Sequence, residues 1–80
     1  MRKGAVSTKE FLKMLEALGF EQVRSGKGGH VIYRHSETGL LASLPTKSDE
    51  VPAIVARAIT RQIEDYDIAS RDKMEEILRH

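Results

Sequence analysis

Residues 19–45 read GFEQVRSGKGGHVIYRHSETGLLASLP, and they carry the strongest indication of the architecture. It contains three short segments rich in strand-forming residues, at 20–24, 30–35 and 40–44. Glycine-bearing turns at 25–29 and 36–39 separate the segments, and Pro45 follows the third one. Short strands joined by such turns are typical of antiparallel hairpins. We therefore predict a three-stranded antiparallel meander.

A helix is predicted before this stretch by its capping and its periodicity. Ser7 and Glu10 have the spacing of a capping box, in which the serine hydroxyl accepts from the backbone of the glutamate. Apolar residues then recur at helical spacing up to Leu18. Gly19 follows at the position where a residue in the left-handed conformation commonly ends a helix. The first helix is therefore expected between Ser7 and Gly19.

Two further helices are predicted after the meander. Pro52 is favoured in the first turn of a helix, and Ser70 can cap a shorter helix that turns Met74 inward. The inward face predicted for the second helix consists of Val55, Ala58, Ile59, Ile63 and Tyr66. This order of elements gives an α+β fold in which the two main helices cover one face of the sheet and leave the other face open.

The composition fits one small folded domain over residues 1–80. Apolar residues make up 40% of the chain and charged residues 31%, which is typical of a folded soluble domain and not of a disordered tail. The chain has no cysteine, so disulfide-stapled folds and thiolate metal sites are excluded. Charged residues interrupt the apolar positions of the first helix, so we expect no signal peptide or membrane span. These features favour a cytoplasmic protein.

The charges are divided unevenly along the chain, although the formal net charge is only +1. Residues 1–35 hold seven Lys or Arg against three Glu, whereas residues 36–80 hold six Lys or Arg against nine Asp or Glu. In the basic half, a glycine-rich turn is flanked by cations, and this candidate phosphate-binding set consists of Arg24, Lys27, Gly28, Gly29 and Arg34. Glycines let backbone amides approach a phosphate closely, and the cations neutralise it. The alternative is a flexible turn beside a solvated basic strand.

The residues around this turn resemble those of a known family. Residues 28–35, GGHVIYRH, are similar to the GSHHIYRH signature of the HicA toxins. The segments 18–20 and 44–45, and also Pro52, match the family in the same order, and 70–78 resembles a terminal helix of its longer members. The chain differs at Gly29, Val31 and residues 51–54, where the family usually has Ser, a second His and Lys-Pro-Gly-Thr.

The resemblance implies a fold, an activity and a partner. The fold is a double-stranded-RNA-binding-like α-β-β-β-α arrangement, here with a short extra C-terminal helix. The activity is cleavage of mRNA by a type II toxin, and the partner is a HicB-like antitoxin. The catalytic histidine of the family falls on His30, and the phosphate-binding set becomes the candidate RNA-binding set.

The chemistry of histidine agrees with this assignment. An imidazole can take or give a proton near neutral pH, so His30 is a candidate to deprotonate a 2′-hydroxyl that attacks the adjacent phosphate. His35 is expected to point to the opposite face, because side chains alternate along a strand. Arg34 shares the parity of His30 but lies about 13 Å away at strand rise, so it suits a neighbouring phosphate. The competing function is a non-catalytic RNA-binding or protein-interaction module of the same fold.

The pattern does not determine which face of the sheet carries His30. Ile32 shares the parity of His30, whereas Val31 and Tyr33 form a competing apolar pair of the opposite parity. Either set of side chains can be buried, so both orientations stay open.

Metal-dependent and serine-dependent chemistry are disfavoured by the inventory of residues. The chain has three histidines and no cysteine, whereas a zinc site requires three or four well-spaced ligands. The serines at positions 25, 36 and 43 have no base at a recognisable spacing. We therefore predict no metal and no cofactor.

Overall fold

The computed structural model describes residues 6–26, 29–46 and 49–79. In chain order their elements are β1 (Val6–Ser7), α1 (Thr8–Ala17), β2 (Phe20–Gly26), β3 (His30–His35), β4 (Leu41–Pro45), β5 (Glu50–Val51), α2 (Ala53–Asp65) and α3 (Arg71–Arg79). This order confirms the predicted α+β fold, a double-stranded-RNA-binding-like arrangement with a short C-terminal helix.

The main sheet is the predicted antiparallel meander, with the strand order β2-β3-β4. The strand β3 is therefore central, and β2 and β4 are its two neighbours. The strand β4 ends at Pro45 as predicted, whereas β2 continues two residues beyond the predicted boundary, to Gly26. Gly39 has a φ of +79°, so the turn before β4 uses the backbone conformation that glycine adopts most easily.

A second, two-stranded pair was not expected from the sequence. Val6 of β1 pairs with Val51 of β5, and Ser7 pairs with Glu50. The backbone N–H of Thr8 donates to the carbonyl of Asp49 at 2.8 Å next to this pair. The pair holds the beginning of α1 beside the segment that leads into α2.

The first helix has the predicted capping at both ends. The backbone N–H of Glu10 donates to Oγ of Ser7 at 3.3 Å, which satisfies one of the free donors at the helix start. Gly19 has a φ of +100°, and its N–H donates to the carbonyl of Glu16 at 3.1 Å. Gly19 therefore ends α1 and turns the chain into β2.

The second helix begins one residue later than predicted. Pro52 has a ψ of 143°, so it precedes the helix and does not belong to its first turn, and α2 starts at Ala53. The N–H of Ala56 donates to the carbonyl of Pro52 at 2.9 Å, which is the first hydrogen bond of the helix.

The predicted inward face of α2 is only partly correct. Ile59 and Ile63 are buried as predicted, but Ala58 is exposed and Tyr66 is 51% exposed. Ala56 is buried in their place. The reason is that α3 also packs on α2, which rotates the buried stripe toward Ala56, and that Tyr66 lies beyond the last helical residue.

All three helices of the described chain contribute to one hydrophobic core on one side of the main sheet. The buried members are Phe11, Met14, Leu15, Phe20, Tyr33, Leu40, Ala42, Leu44, Val51, Ala56, Ile59, Ile63 and Met74. The short helix α3 begins after Ser70, whose Oγ accepts the N–H of Lys73 at 3.1 Å as predicted. Among the described residues, no helix has the length and apolar character needed to cross a membrane.

Tyr33 connects the sheet to the first helix. Its side chain is buried, and its hydroxyl donates to Oε2 of Glu16 at 3.4 Å. Burial raises the pKa of Tyr33 above its ordinary value, and the negative charge of Glu16 and the hydrogen bond to it raise this pKa further. The phenol is therefore held in its neutral form on the covered face of the sheet.

Candidate functional site

The exposed face of the central strand carries His30. Along β3, His30 and Arg34 are exposed, whereas Tyr33 and His35 are buried. Val31 shares the parity of the buried pair and packs against the core. The helices therefore cover the Tyr33 side of the sheet, and His30 lies on the opposite, open face.

The backbone of His30 is held on both sides. His30 is the first residue of the central strand, and it pairs with Gly26 of β2 on one side and with Pro45 of β4 on the other. The carbonyl of the preceding residue, Gly29, accepts hydrogen bonds from both the N–H and the hydroxyl of Thr46. The imidazole nevertheless stays exposed. The site thus combines a fixed backbone with a ring that a ligand can reach.

Arg24 reaches the same face because β2 contains a bulge. Phe20 pairs with His35, and Arg24 pairs with Ile32, with a register shift between Gln22 and Arg24. Phe20 and Arg24 have the same parity, so a regular strand would point both side chains to one face. The extra residue in the bulge lets Phe20 be buried while Arg24 lies on the open face.

Arg34 lies on the open face as well, but at the other end of β3. Its cross-strand partners are Glu21 of β2 and Leu41 of β4. Its Nη2 is directed to the β3–β4 turn, where a Cβ built on Gly39 would lie 3.7 Å from it. His30 is at the opposite end, where β3 begins. The structure thus brings His30, Arg24 and Arg34 to one face but does not bring Arg34 to His30.

The rest of the predicted binding set is described only in part. Gly29 lies directly before His30 with a φ of +80°, a conformation that favours glycine. Lys27 and Gly28 fall outside the described residues.

His35 is on the opposite face from His30, as predicted, and it is buried. Its Nδ1 accepts the backbone N–H of Thr38 at 3.2 Å, and its Nε2 lies 3.0 Å from the carbonyl oxygen of Leu18. The ring also packs against Phe20, with ring centroids 5.0 Å apart. Both ring nitrogens are therefore engaged within the fold, which is the arrangement of a structural histidine.

A comparison with models of protein families identifies the group to which these elements belong. The model described as the HicA toxin of bacterial toxin–antitoxin systems matches residues 8–64. This chain belongs to the HicA toxin family. The match covers α1, the whole main sheet and nearly all of α2, and it therefore includes His30. Searches of curated proteins and of solved structures found no match.

Membership of the HicA family gives the protein a role and a kind of partner. It is a toxin of a toxin–antitoxin system, and an antitoxin that binds it follows from that role. The helix α3 lies beyond the matched residues, yet its Met74 is part of the core of this HicA toxin. The C-terminal helix is thus integrated into the fold and is not an appended segment.

Two features of this HicA site were missed by sequence reasoning. The bulge at Val23 leaves no signal in the pattern, because a shift of one residue appears only when the pairing with β3 is known. Thr46 binds the carbonyl of Gly29, which lies 17 positions away in the sequence, and it has no distinctive context. Across the described part of the chain, no group of three or more His, Cys, Asp or Glu side chains is arranged to hold a metal ion.

Proposed function

We propose that this HicA-family toxin is a metal-independent endoribonuclease that cleaves mRNA in the cytoplasm and uses His30 as its catalytic side chain. The observation that carries the proposal is the position of His30. Its imidazole is exposed on the open sheet face, its backbone is held by both neighbouring strands, and two arginines share the face. A strand that fixes the backbone orients a general base without covering it.

The proposed reaction is an internal transesterification of the RNA backbone. His30 takes the proton of a 2′-hydroxyl, and the oxygen attacks the adjacent phosphorus with its electron pair. The bond from phosphorus to the 5′-oxygen breaks, and this oxygen leaves with the bonding pair and takes a proton from solvent. The products are a 2′,3′-cyclic phosphate and a 5′-hydroxyl. No step of this reaction requires a metal ion.

The proposed RNA contacts are the candidate set from the sequence. Arg24 and Arg34 lie exposed on the face of His30 and are suited to phosphate oxygens, because a guanidinium presents several fixed donors. The backbone around Gly29 approaches the same ligand, since this residue has no side chain in the way. Lys27 and Gly28 join the proposal from the sequence alone. The contacts to phosphate position the RNA but do not select its sequence.

The decisive experiment measures RNA cleavage by purified His30→Ala. We expect the rate to fall about a hundredfold to ten-thousandfold, which is the usual loss for a general base, with an unchanged melting temperature because the side chain is exposed. Ser43→Ala is the matched control, since Ser43 is exposed on the neighbouring strand opposite Ile32 and has no assigned role. If His30→Ala cleaves RNA at the wild-type rate, a non-catalytic RNA-binding module becomes the better interpretation.

The inhibitor is proposed to be a HicB-like antitoxin that covers the open face. A protein with an acidic surface would complement the exposed Arg24 and Arg34 and would block access to His30. Chemical modification with diethylpyrocarbonate, read for each peptide by mass spectrometry, tests this. We expect His30 to be modified in the free toxin and protected in the complex. Equal modification of His30 in both states would contradict inhibition by covering.

A further inference from the structure

We propose that Arg24 is a second catalytic residue, which binds the phosphate attacked at His30 and stabilises the charge that develops on it. The inference rests on the proposed ribonuclease function and selects one cation from the candidate set. Its basis is the juxtaposition of Arg24 and His30 that the bulge in β2 creates.

The pairing of the strands places Arg24 next to His30. Arg24 is directly opposite Ile32, which is two residues from His30 along the same face of β3. Arg24 is therefore the diagonal neighbour of His30, and such neighbours lie roughly 7–8 Å apart, within reach of a long side chain. A phosphate in contact with the imidazole of His30 can be contacted by the guanidinium of Arg24 at the same time.

Arg34 cannot take this role. Four residues separate it from His30, which corresponds to about 13 Å along a strand. Its Nη2 is directed to Gly39, at the end of the strand far from His30. Its partner on β2 is the acidic residue Glu21, whereas the partner of Arg24 is the apolar Ile32. The cross-strand neighbour of Arg24 thus compensates its charge less than Glu21 compensates that of Arg34. Arg24 also lies at the end of the sheet that carries His30.

The bulge lets β2 bury Phe20 and still present Arg24 on the open face. Between the pairs Phe20–His35 and Gly26–His30, β2 has seven residues and β3 has six. Removal of any one residue would make the strand regular, but the choice decides where Arg24 points. Without Val23, Arg24 stays opposite Ile32 on the open face. Without the residue at position 25, Arg24 would instead lie opposite Val31, on the covered face.

The first test compares the kinetics of Arg24→Ala with those of Arg34→Ala. We expect Arg24→Ala to lower kcat about a hundredfold, because the lost contact is strongest in the transition state. Arg34→Ala should mainly raise KM, because it removes a contact that the bound RNA already makes. Equal kcat values for wild type and Arg24→Ala would overturn the proposal, as would a loss of kcat in Lys27→Ala alone.

The second test does not depend on cleavage. Inorganic phosphate is titrated into the toxin while NMR signals of the arginine Nε–H groups and of the His30 ring are followed. We expect the Arg24 and His30 signals to move together, and Arg24→Ala to weaken the phosphate binding reported by the His30 ring about tenfold, whereas Ser43→Ala leaves it unchanged. Unchanged affinity in Arg24→Ala overturns this proposal. An inactive wild type with the expected phosphate response would contradict the ribonuclease function and the catalytic role that rests on it, but would leave the shared phosphate site of Arg24 and His30 in place.

The third test uses two single-residue deletions of equal length. The variant without Val23 should keep a kcat near that of the wild type, because Arg24 stays on the open face. The variant without Ser25 should lose kcat as Arg24→Ala does. Both variants are first checked for a cooperative melting transition, and if the Ser25 deletion does not fold, the comparison of Arg24→Ala with Arg34→Ala decides. Equal activity of two folded deletion variants would overturn the proposal.

Discussion

Gly19 connects α1 to β2 and lies beside His35, the last residue of β3. It ends α1 with a φ of +100°, and its carbonyl accepts the N–H of Ser36 at 3.1 Å. A Cβ at this position would lie 3.3 Å from Nε2 of His35, a ring that is held on both of its nitrogens. Gly19 is therefore constrained by its backbone conformation and also by a side chain that cannot move away easily.

We predict that Gly19→Ala destabilises the protein more than Gly39→Ala does. Both glycines have positive φ, which costs about 1–2 kcal/mol for another residue. A Cβ at Gly39 meets only the flexible end of Arg34, at 3.7 Å. Each kcal/mol lowers the melting temperature of a domain of this size by about 4–8 °C. Thermal unfolding followed by circular dichroism measures both variants, and equal losses would show that His35 gives way freely.

Local sequence patterns identify the important residues better than they predict the direction in which the side chains of those residues point. His30 and Gly19 were both singled out from local patterns, a signature and a helix end. The face of His30 was not predictable, because both parities of β3 carry apolar residues and only the packing of the helices decides between them. The contact of Gly19 with His35 joins positions far apart in the chain and leaves no local signal.

The helix α2 is followed by an aspartate, Asp67, at a left-handed position where glycine is favoured. Asp67 has a φ of +57°, its N–H donates to the carbonyl of Glu64, and the N–H of Ile68 donates to that of Ile63, both at 3.0 Å. These two bonds form a Schellman motif, whose left-handed position is most often glycine. Asp67 also places a negative charge at a helix C-terminus, where the helix dipole disfavours it.

We predict that Asp67→Gly stabilises the protein by about 1 kcal/mol, because it removes both the left-handed cost and the charge. Asp67→Asn is the matched control, since it removes the charge but keeps a side chain at the same φ. The melting temperature should rise in the order wild type, Asn variant, Gly variant. A Gly variant that melts at or below the wild-type temperature would show that the aspartate side chain makes a stabilising contact of its own.

Helices and strands were predictable where the residues that determine them lie close together in the sequence. The helices α1 and α3 were predicted from side-chain caps that lie within four residues, and the meander from its turns. The buried face of α2 was predicted less well, because the packing of α3 selects Ala56 over Ala58. The two-residue strands β1 and β5 were missed, since they exist only through their pairing with each other.

The stability of the whole molecule is predicted to fall at alkaline pH because of Tyr33. Its pKa is raised in the folded state by burial and by Glu16, so the unfolded chain loses this proton first. The contribution of Tyr33 is therefore complete below the ordinary tyrosine pKa of about 10 and is lost as the pH rises above it. Urea unfolding across this range measures the slope of stability with pH.

Two variants separate the causes of this pH dependence. Tyr33→Phe should abolish the contribution, because the group that titrates is removed. Glu16→Gln should reduce it without abolishing it, since burial of the phenol remains and is the larger cause. A Tyr33→Phe variant with the wild-type slope would assign the alkaline loss of stability to other groups.

The two faces of the main sheet have different roles, one in the stability of the fold and the other in the proposed activity. The covered face contains the core and the buried Tyr33 and His35, so substitutions there act on stability. The open face contains His30, Arg24 and Arg34, which are exposed and contribute little to the core. This division was predictable from the order of elements, whereas the bulge that completes the open face was not.

The bulge in β2 also affects whether the edge of the main sheet can pair with a strand of another molecule. The main sheet has two outer strands, and an outer strand with a regular row of free backbone groups is a template onto which another chain can add. At Val23, between the charged residues Glu21 and Arg24, the register shifts, and a bulge of this kind disrupts the regular row of backbone groups. The other outer strand ends in Pro45, which has no N–H to offer. The irregularity in β2 therefore opposes edge-to-edge aggregation whenever the toxin is free of its antitoxin.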